Sequence, residues 1–166
     1  MRVLGVDPGF ATTGFGVVER LGGGLRALAV GAIKTTPGLP QADRLLELRR
    51  ALAGLAAEHG PDAVALERVF FNANVRTAMG VGQAAGVVMV TAAEAGLAVH
   101  EYTPTEVKSS VVGVGNASKH QVQVMVAALL KLAAPPKPAD AADACALAIC
   151  HLNRSGLSRA IAGAAR

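Results

Sequence analysis

Aromatic side chains are scarce in this chain. Phe, Tyr and Trp make up 3% of it, with no Trp and a single Tyr. Hydrophobic residues nevertheless account for 52%, so the core has to be built from Ala, Val and Leu. Alanine and glycine in such numbers favour close approach of helices to one another and to a sheet. Cysteine is nearly absent as well. Cys145 and Cys150 fall in one alanine-rich segment, at a spacing that places them on different helix faces. Without a C-x-x-C or any Cys/His ligand pattern, they are expected to be two buried thiols in a reducing compartment. The histidines, His59, His100, His120 and His151, are scattered, and none forms a ligand-spaced pair. His59-Gly60 instead fits a helix C-terminus. No apolar run is long and clean enough to cross a bilayer. The N-terminus enters a strand without the basic-then-apolar pattern of a signal peptide, and a cytoplasmic protein is expected.

At 166 residues the chain is expected to be one domain that buries about 70% of its unfolded surface. It carries 16 Lys and Arg against 12 Asp and Glu, a formal net charge of +4. The pI is near 9.5. A modest basic excess of this kind points weakly to a polyanionic partner.

Val3 to Val6 and Thr13 to Val18 read as antiparallel neighbours, and Gly22-Gly23-Gly24 as a loose hairpin turn into a third strand from Leu25 to Ile33. Leu45, Leu48, Leu52 and Leu55 recur at helical spacing. Ala63 to Leu66 is a short, wholly apolar run that suits a central parallel strand. Val75 to Ala95 is expected to be a helix ended by Gly96, with Ala78, Gly82 and Ala85 as a small-residue face for packing against a second copy. Leu97 to Tyr102 reads as a fifth strand, Thr103-Pro104 as a helix start, and Gly113 to Asn116 as a loop. Ser118 suits the cap of a helix through Leu132, and a last helix is expected from about Ala139. Residues 1–152 are expected to form the domain, and 153–166 a flexible basic tail.

The acidic residues stand in telling places. Asp7 ends the first strand and Pro8-Gly9 turns the chain after it. A carboxylate leaving a buried strand needs a partner, and one option is that Asp7 bonds the backbone of its own turn. Glu67 ends the fourth strand. If the two strands are parallel neighbours, both acids emerge at the same sheet edge, where open α/β folds place their sites. Asp140 and Asp143 are three apart and share a helix face. One reading makes Asp140 an N-cap and Asp143 a first-turn residue. The alternative is that the alanine-rich helix lies close on the sheet and brings both towards Asp7. Two carboxylates about 4 Å apart cost roughly 4 kcal/mol at an effective dielectric near 20, so four converging acids call for divalent cations. Oxygen-only ligands point to magnesium or manganese, and two ions about 4 Å apart serve phosphodiester cleavage. Setting the four acids aside raises the charge of the remainder from +4 to +8. An acidic centre in a basic surface suits a metal-dependent nuclease.

GVDPG with the Thr-Gly-Phe-Gly-Val strand, ALERVFF, GQAAGV, VKSSVVGVGNASKHQVQ and ADAADACALAI together resemble the RuvC family of bacterial Holliday-junction resolvases. The resemblance runs from about residue 2 to about residue 152. It implies a ribonuclease H-like α/β fold with a five-stranded mixed sheet, its first three strands antiparallel, and helices on both faces. It implies a homodimer that resolves four-way DNA junctions by paired nicks in recombination and repair, using Mg2+, with two ions per site and Mn2+ able to substitute. It places the metal-binding catalytic acids on Asp7, Glu67, Asp140 and Asp143, a DNA-contacting aromatic on Phe70, and basic DNA contacts on Lys108 and Lys119. The family's partners are the RuvA and RuvB branch-migration proteins. Two other classes compete. An actin-like phosphotransferase would explain DPGFATTG, but it needs a second phosphate loop in a second domain. A non-catalytic junction-binding protein would explain the charge and leave the four acids without a role.

Overall fold

The computed structural model describes residues 1–68 and 75–164; for residues 75–77 and 157–164 the backbone alone is described. Ten elements follow in order: β1 (Arg2–Asp7), β2 (Thr12–Leu21), β3 (Gly24–Lys34), α1 (Gln41–His59), β4 (Ala63–Glu67), α2 (Val75–Glu94), β5 (Ala98–Tyr102), α3 (Pro104–Val112), α4 (Lys119–Leu129) and α5 (Ala139–Ala164). The strands form one sheet in the order β3-β2-β1-β4-β5. β1, β2 and β3 pair antiparallel, while β4 pairs parallel with β1 and with β5. This is the mixed sheet expected from the sequence. The hairpin between β2 and β3 is tighter than expected. Leu21 pairs with Gly24, and Gly22 and Gly23 alone make the turn with φ of 54° and 87°. Positive φ at both central positions matches the right-handed twist of the strands and favours glycine.

Strand alternation divides the core in two. Leu4, Val6, Val17, Val64 and Leu66 face Leu48 and Leu52 of α1 and Ala84, Ala85 and Val88 of α2. Val3, Val18 and Ala65 face the other way, against α3, α4 and α5. Side chains two apart on a strand share a face. Asp7 therefore follows Val3 and Gly5 to the α5 side, and Glu67 follows Ala65 to the same side.

Several expected boundaries move. Ala85 is buried against the sheet, so it cannot belong to an outward packing face of α2. Among the described side chains of α2, the large outward apolar residues are Met79, Met89 and Val90, with Gly86 exposed between them. α4 stops at Leu129 and not at Leu132. Lys131 takes a left-handed conformation (φ 54°), and the N–H of Leu132 returns to the carbonyl of Ala127 at 2.9 Å. α5 does not end at Asn153 either. It continues to Ala164, and Asn153 is held by Arg20 at 2.7 Å and by the Ser110 carbonyl at 3.2 Å. Both cysteines are free and buried, and burial pushes the Cys145 thiol up to about 12. Among the described residues, no helix is long and apolar enough to cross a membrane.

Candidate metal centre

β1 and β4 carry two of the four acids to one place. Val6 pairs with Leu66 in parallel register, so Asp7 and Glu67 leave adjacent strands side by side. The other two arrive on α5, which crosses the sheet at backbone contact distance. A Cβ on Gly5 would lie 2.0 Å from the carbonyl oxygen of Ala144, and one on Gly14 2.0 Å from that of Asp140. Gly14 is also the cross-strand partner of Asp7. The missing side chains on the strands and the alanines on the helix, with Ala141, Ala144 and Ala148 fully buried, let the first turn of α5 rest directly over the end of β1.

The result is a cluster of carboxylates. Asp7, Asp140 and Asp143 each offer an oxygen atom, and all three lie within 4.8 Å of one another. Asp140 is the second residue of α5 and not its N-cap. Glu67 stands beside this triad and shares a hydrogen bond with Asp7. The turn after Asp7 is closed without its help. The Thr13 hydroxyl donates to the Gly9 carbonyl at 2.8 Å and accepts from the Gly9 N–H at 3.4 Å. Asp7 is thus freed from the turn-forming role open to it in the sequence.

Crowding shows in the acid strengths. Burial pushes the Asp7 carboxyl up to about 8, and Glu67, Asp143 and Asp140 push it the same way. Burial also raises Glu67, with Asp143 adding to the effect, while the bond to Asp7 and the charge of Lys119 pull it back. Desolvation and like charge both disfavour the ionised form, so this group of acids is poised to take up positive charge. An all-oxygen donor set at this spacing fits a hard divalent cation such as magnesium or manganese.

Lys119, expected to be a DNA contact, lies at the cluster itself. As the first residue of α4 it follows the capping box of Ser118 and Gln121, and its Nζ is 2.7 Å from Asp143 Oδ2. Its bond to Asp143 raises its pKa, and the charges of Asp143, Asp7 and Asp140 add to this. Lys108, on α3, joins Lys119, Glu67 and Asp143 around a cleft of about 220 Å³ floored by Val107, Val122 and Leu147. Phe70 lies outside the described residues. The sequence reading missed Gly5 and Gly14 as site-building positions and Thr13 as the residue that closes the turn. Glycine inside a strand marks a close approach of another backbone, so the first two carried a usable signal.

The crossover junction endodeoxyribonuclease RuvC family model matches residues 3–151. A crossover junction endodeoxyribonuclease RuvC of Chloroflexus aggregans is 52% identical over 164 residues, covering 95% of this chain and all of the relative. One from Salinispora arenicola is 52% identical over 166 residues, covering 99% of this chain and 95% of the relative. The structure of Thermus thermophilus RuvC in complex with Holliday junction substrate superposes with a TM-score of 0.91 at 36% identity, over 95% of this chain and 96% of that one. With a glycine-floored sheet bringing acids from β1, β4 and α5 together, and with near-complete coverage at about half identity, the chain belongs to the RuvC family.

Proposed function

We propose that the chain cuts four-way DNA junctions at the carboxylate cluster, with Asp7, Glu67, Asp140 and Asp143 as the residues that hold divalent metal. The chain is a Holliday-junction-resolving endonuclease by family, and a phosphotransferase or a passive binder is not favoured. The approach of Asp7, Asp140 and Asp143 within 4.8 Å carries the assignment of the site, because such a cluster is unfavourable until a cation enters it. We take that cation to be Mg2+, two per site, with Mn2+ as a substitute. When bound, the ions supply an activated water and charge stabilisation of the leaving oxygen of a phosphodiester.

The chain's own groups do the rest. The four carboxylates orient the site and repel anions until metal enters it. Lys119 neutralises Asp143 in the free protein and, with Lys108, faces the cleft through which a phosphate backbone reaches the acids. Phe70 is assigned to stacking on an unpaired base at the crossover, an interaction worth about 1–3 kcal/mol. Paired nicks at a two-fold junction need two copies of the site, so a homodimer is part of the proposal. The outward Met79, Met89 and Val90 face of α2 is its interface. RuvA and RuvB are the partners proposed from family membership, and a cytoplasmic location follows from a DNA substrate in a bacterial cell.

The test is a cleavage gel with a synthetic four-way junction beside linear duplex and a fork. Symmetric nicking of the junction alone, present with Mg2+ and absent with chelator, is expected. Metal-independent nicking, or equal cutting of linear duplex, would contradict the proposal.

A further inference from the structure

Phe10 sits three residues beyond Asp7, in the turn between β1 and β2, and three other elements converge on it. From α1, the Arg44 guanidinium lies over its ring, with Cζ 4.1 Å from the centroid. From the end of β3, the Thr35 hydroxyl donates to the Phe10 carbonyl at 3.0 Å. Arg44 donates in turn to that hydroxyl oxygen from Nε at 2.9 Å and from Nη2 at 2.7 Å. Its Nη2 also reaches the Phe10 carbonyl at 3.4 Å. The Thr35 N–H bonds the Ala11 carbonyl at 3.2 Å. From α2, Gly80 leaves so little room that a Cβ there would stand 3.1 Å from Phe10 Cβ.

Arg44 would pass in the sequence for one more basic residue of a DNA-binding surface. Instead, Nε and Nη2 of its guanidinium are committed within the protein. Asp7 needs such support. It is held on one side only, by Gly14 of β2, lies one residue past the last β1–β4 pair, Val6 with Leu66, and its neighbours in the cluster repel it.

We propose that Phe10 and Arg44 are positioning residues that brace the turn following Asp7. They hold its carboxylate at Asp140 and Asp143 and so set how readily the site takes up a divalent cation. The proposal rests on Asp7 being a metal ligand. Thr13 ties the turn from the sheet side through Gly9, while Arg44, Thr35 and Gly80 confine it from the side of α1 and α2.

The test is Mn2+ binding to the DNA-free protein, followed by electron paramagnetic resonance, with melting temperature and junction affinity in chelator measured in parallel. Phe10→Ala and Arg44→Met should require roughly 10-fold more Mn2+, the scale seen when residues supporting a metal ligand are lost. Phe10→Tyr, which keeps the ring, should bind Mn2+ normally. Gly80→Ala is the sharper variant. It should hold or raise the melting temperature, because alanine favours a helix interior, yet weaken Mn2+ binding by pressing on Phe10. Junction affinity in chelator should not change in any of these. Unaltered Mn2+ binding in Phe10→Ala, Arg44→Met and Gly80→Ala, with binding lost in Asp7→Asn, would overturn the brace alone. Unaltered Mn2+ binding in Asp7→Asn would instead remove the metal-ligand assignment beneath it.

Discussion

Asp7 holds a proton far more tightly in the folded protein than in the unfolded chain. Its carboxyl is pushed up to about 8 from 3.8 by burial and by its acidic neighbours. The sign of the consequence is fixed by linkage: stability is greatest below the unfolded value and is lost as pH rises towards the folded one. In chelator, the melting temperature should therefore fall between about pH 6.5 and pH 8, above the range in which buried His151, lowered to about 4, gains stability as pH rises. Glu67, also raised, adds to the same slope. Saturating Mg2+ should flatten it, and Asp7→Asn should flatten it without metal. A melting temperature that rises through this range in chelator would contradict the crowding of the acids. Lys119 acts against that crowding through its 2.7 Å contact with Asp143. Lys119→Ala should steepen the chelator slope, a change read in the same thermal scans.

At the level of elements, the site depends on how closely α5 lies on β1 and β2. Gly5→Ala would drive a methyl group into the Ala144 carbonyl, 2.0 Å away, and backbone cannot yield as a flexible side chain does. The change should cost about 1–3 kcal/mol or more. That lowers the melting temperature of a domain this size by roughly 2–4 °C per kcal/mol, and it should weaken metal binding as the first turn of α5 is displaced. Gly54→Ala, on α1 with nothing within 4 Å of the added carbon, should instead stabilise by about 0.5–1 kcal/mol. Calorimetry on the pair separates close packing from helix propensity, and an unharmed Gly5→Ala would show that α5 can shift freely. Much of this arrangement was legible in the sequence. The buried run from Val3 to Val6 ending in Asp7, the apolar β4 ending in Glu67, and the i, i+3 spacing of Asp140 and Asp143 are local patterns. The outward side of α2 was not legible. A helix made mostly of alanine, glycine, valine and methionine carries few polar residues to mark its outer side, so its period does not tell inside from outside. The contact of Lys119 with Asp143 was also hidden, because it depends on how α4 docks against α5. The left-handed Lys131 that ends α4 carries none of the glycine signal by which such ends are recognised.

At the scale of the whole molecule, an acidic cluster sits within a basic chain. Four acids gather at one end of the sheet in a chain whose formal charge is +4, and a proposed second copy would double the arrangement across a two-fold axis. Sedimentation should give a dimer at micromolar concentration without DNA. Val90→Asp on the outward face of α2, where Val90 is 57% exposed, should give a folded monomer. A monomeric parent protein would contradict the proposed interface. Junction binding tests the metal site most directly, because the expected effect is opposite in sign to ordinary damage. In the proposed site the ionised carboxylates face the scissile phosphate and repel it when metal is absent, so neutralising one that is ionised removes a repulsion. The measurement is a mobility-shift titration of a four-way junction in chelator above pH 8, where the Asp7 carboxyl is ionised, comparing Asp7→Asn with the parent protein. Affinity that holds or rises, in a folded variant that no longer nicks in Mg2+, is the expected result. Clearly weaker binding in chelator by the folded variant, or nicking that survives the substitution, would mean that Asp7 does not belong to a metal-holding carboxylate cluster.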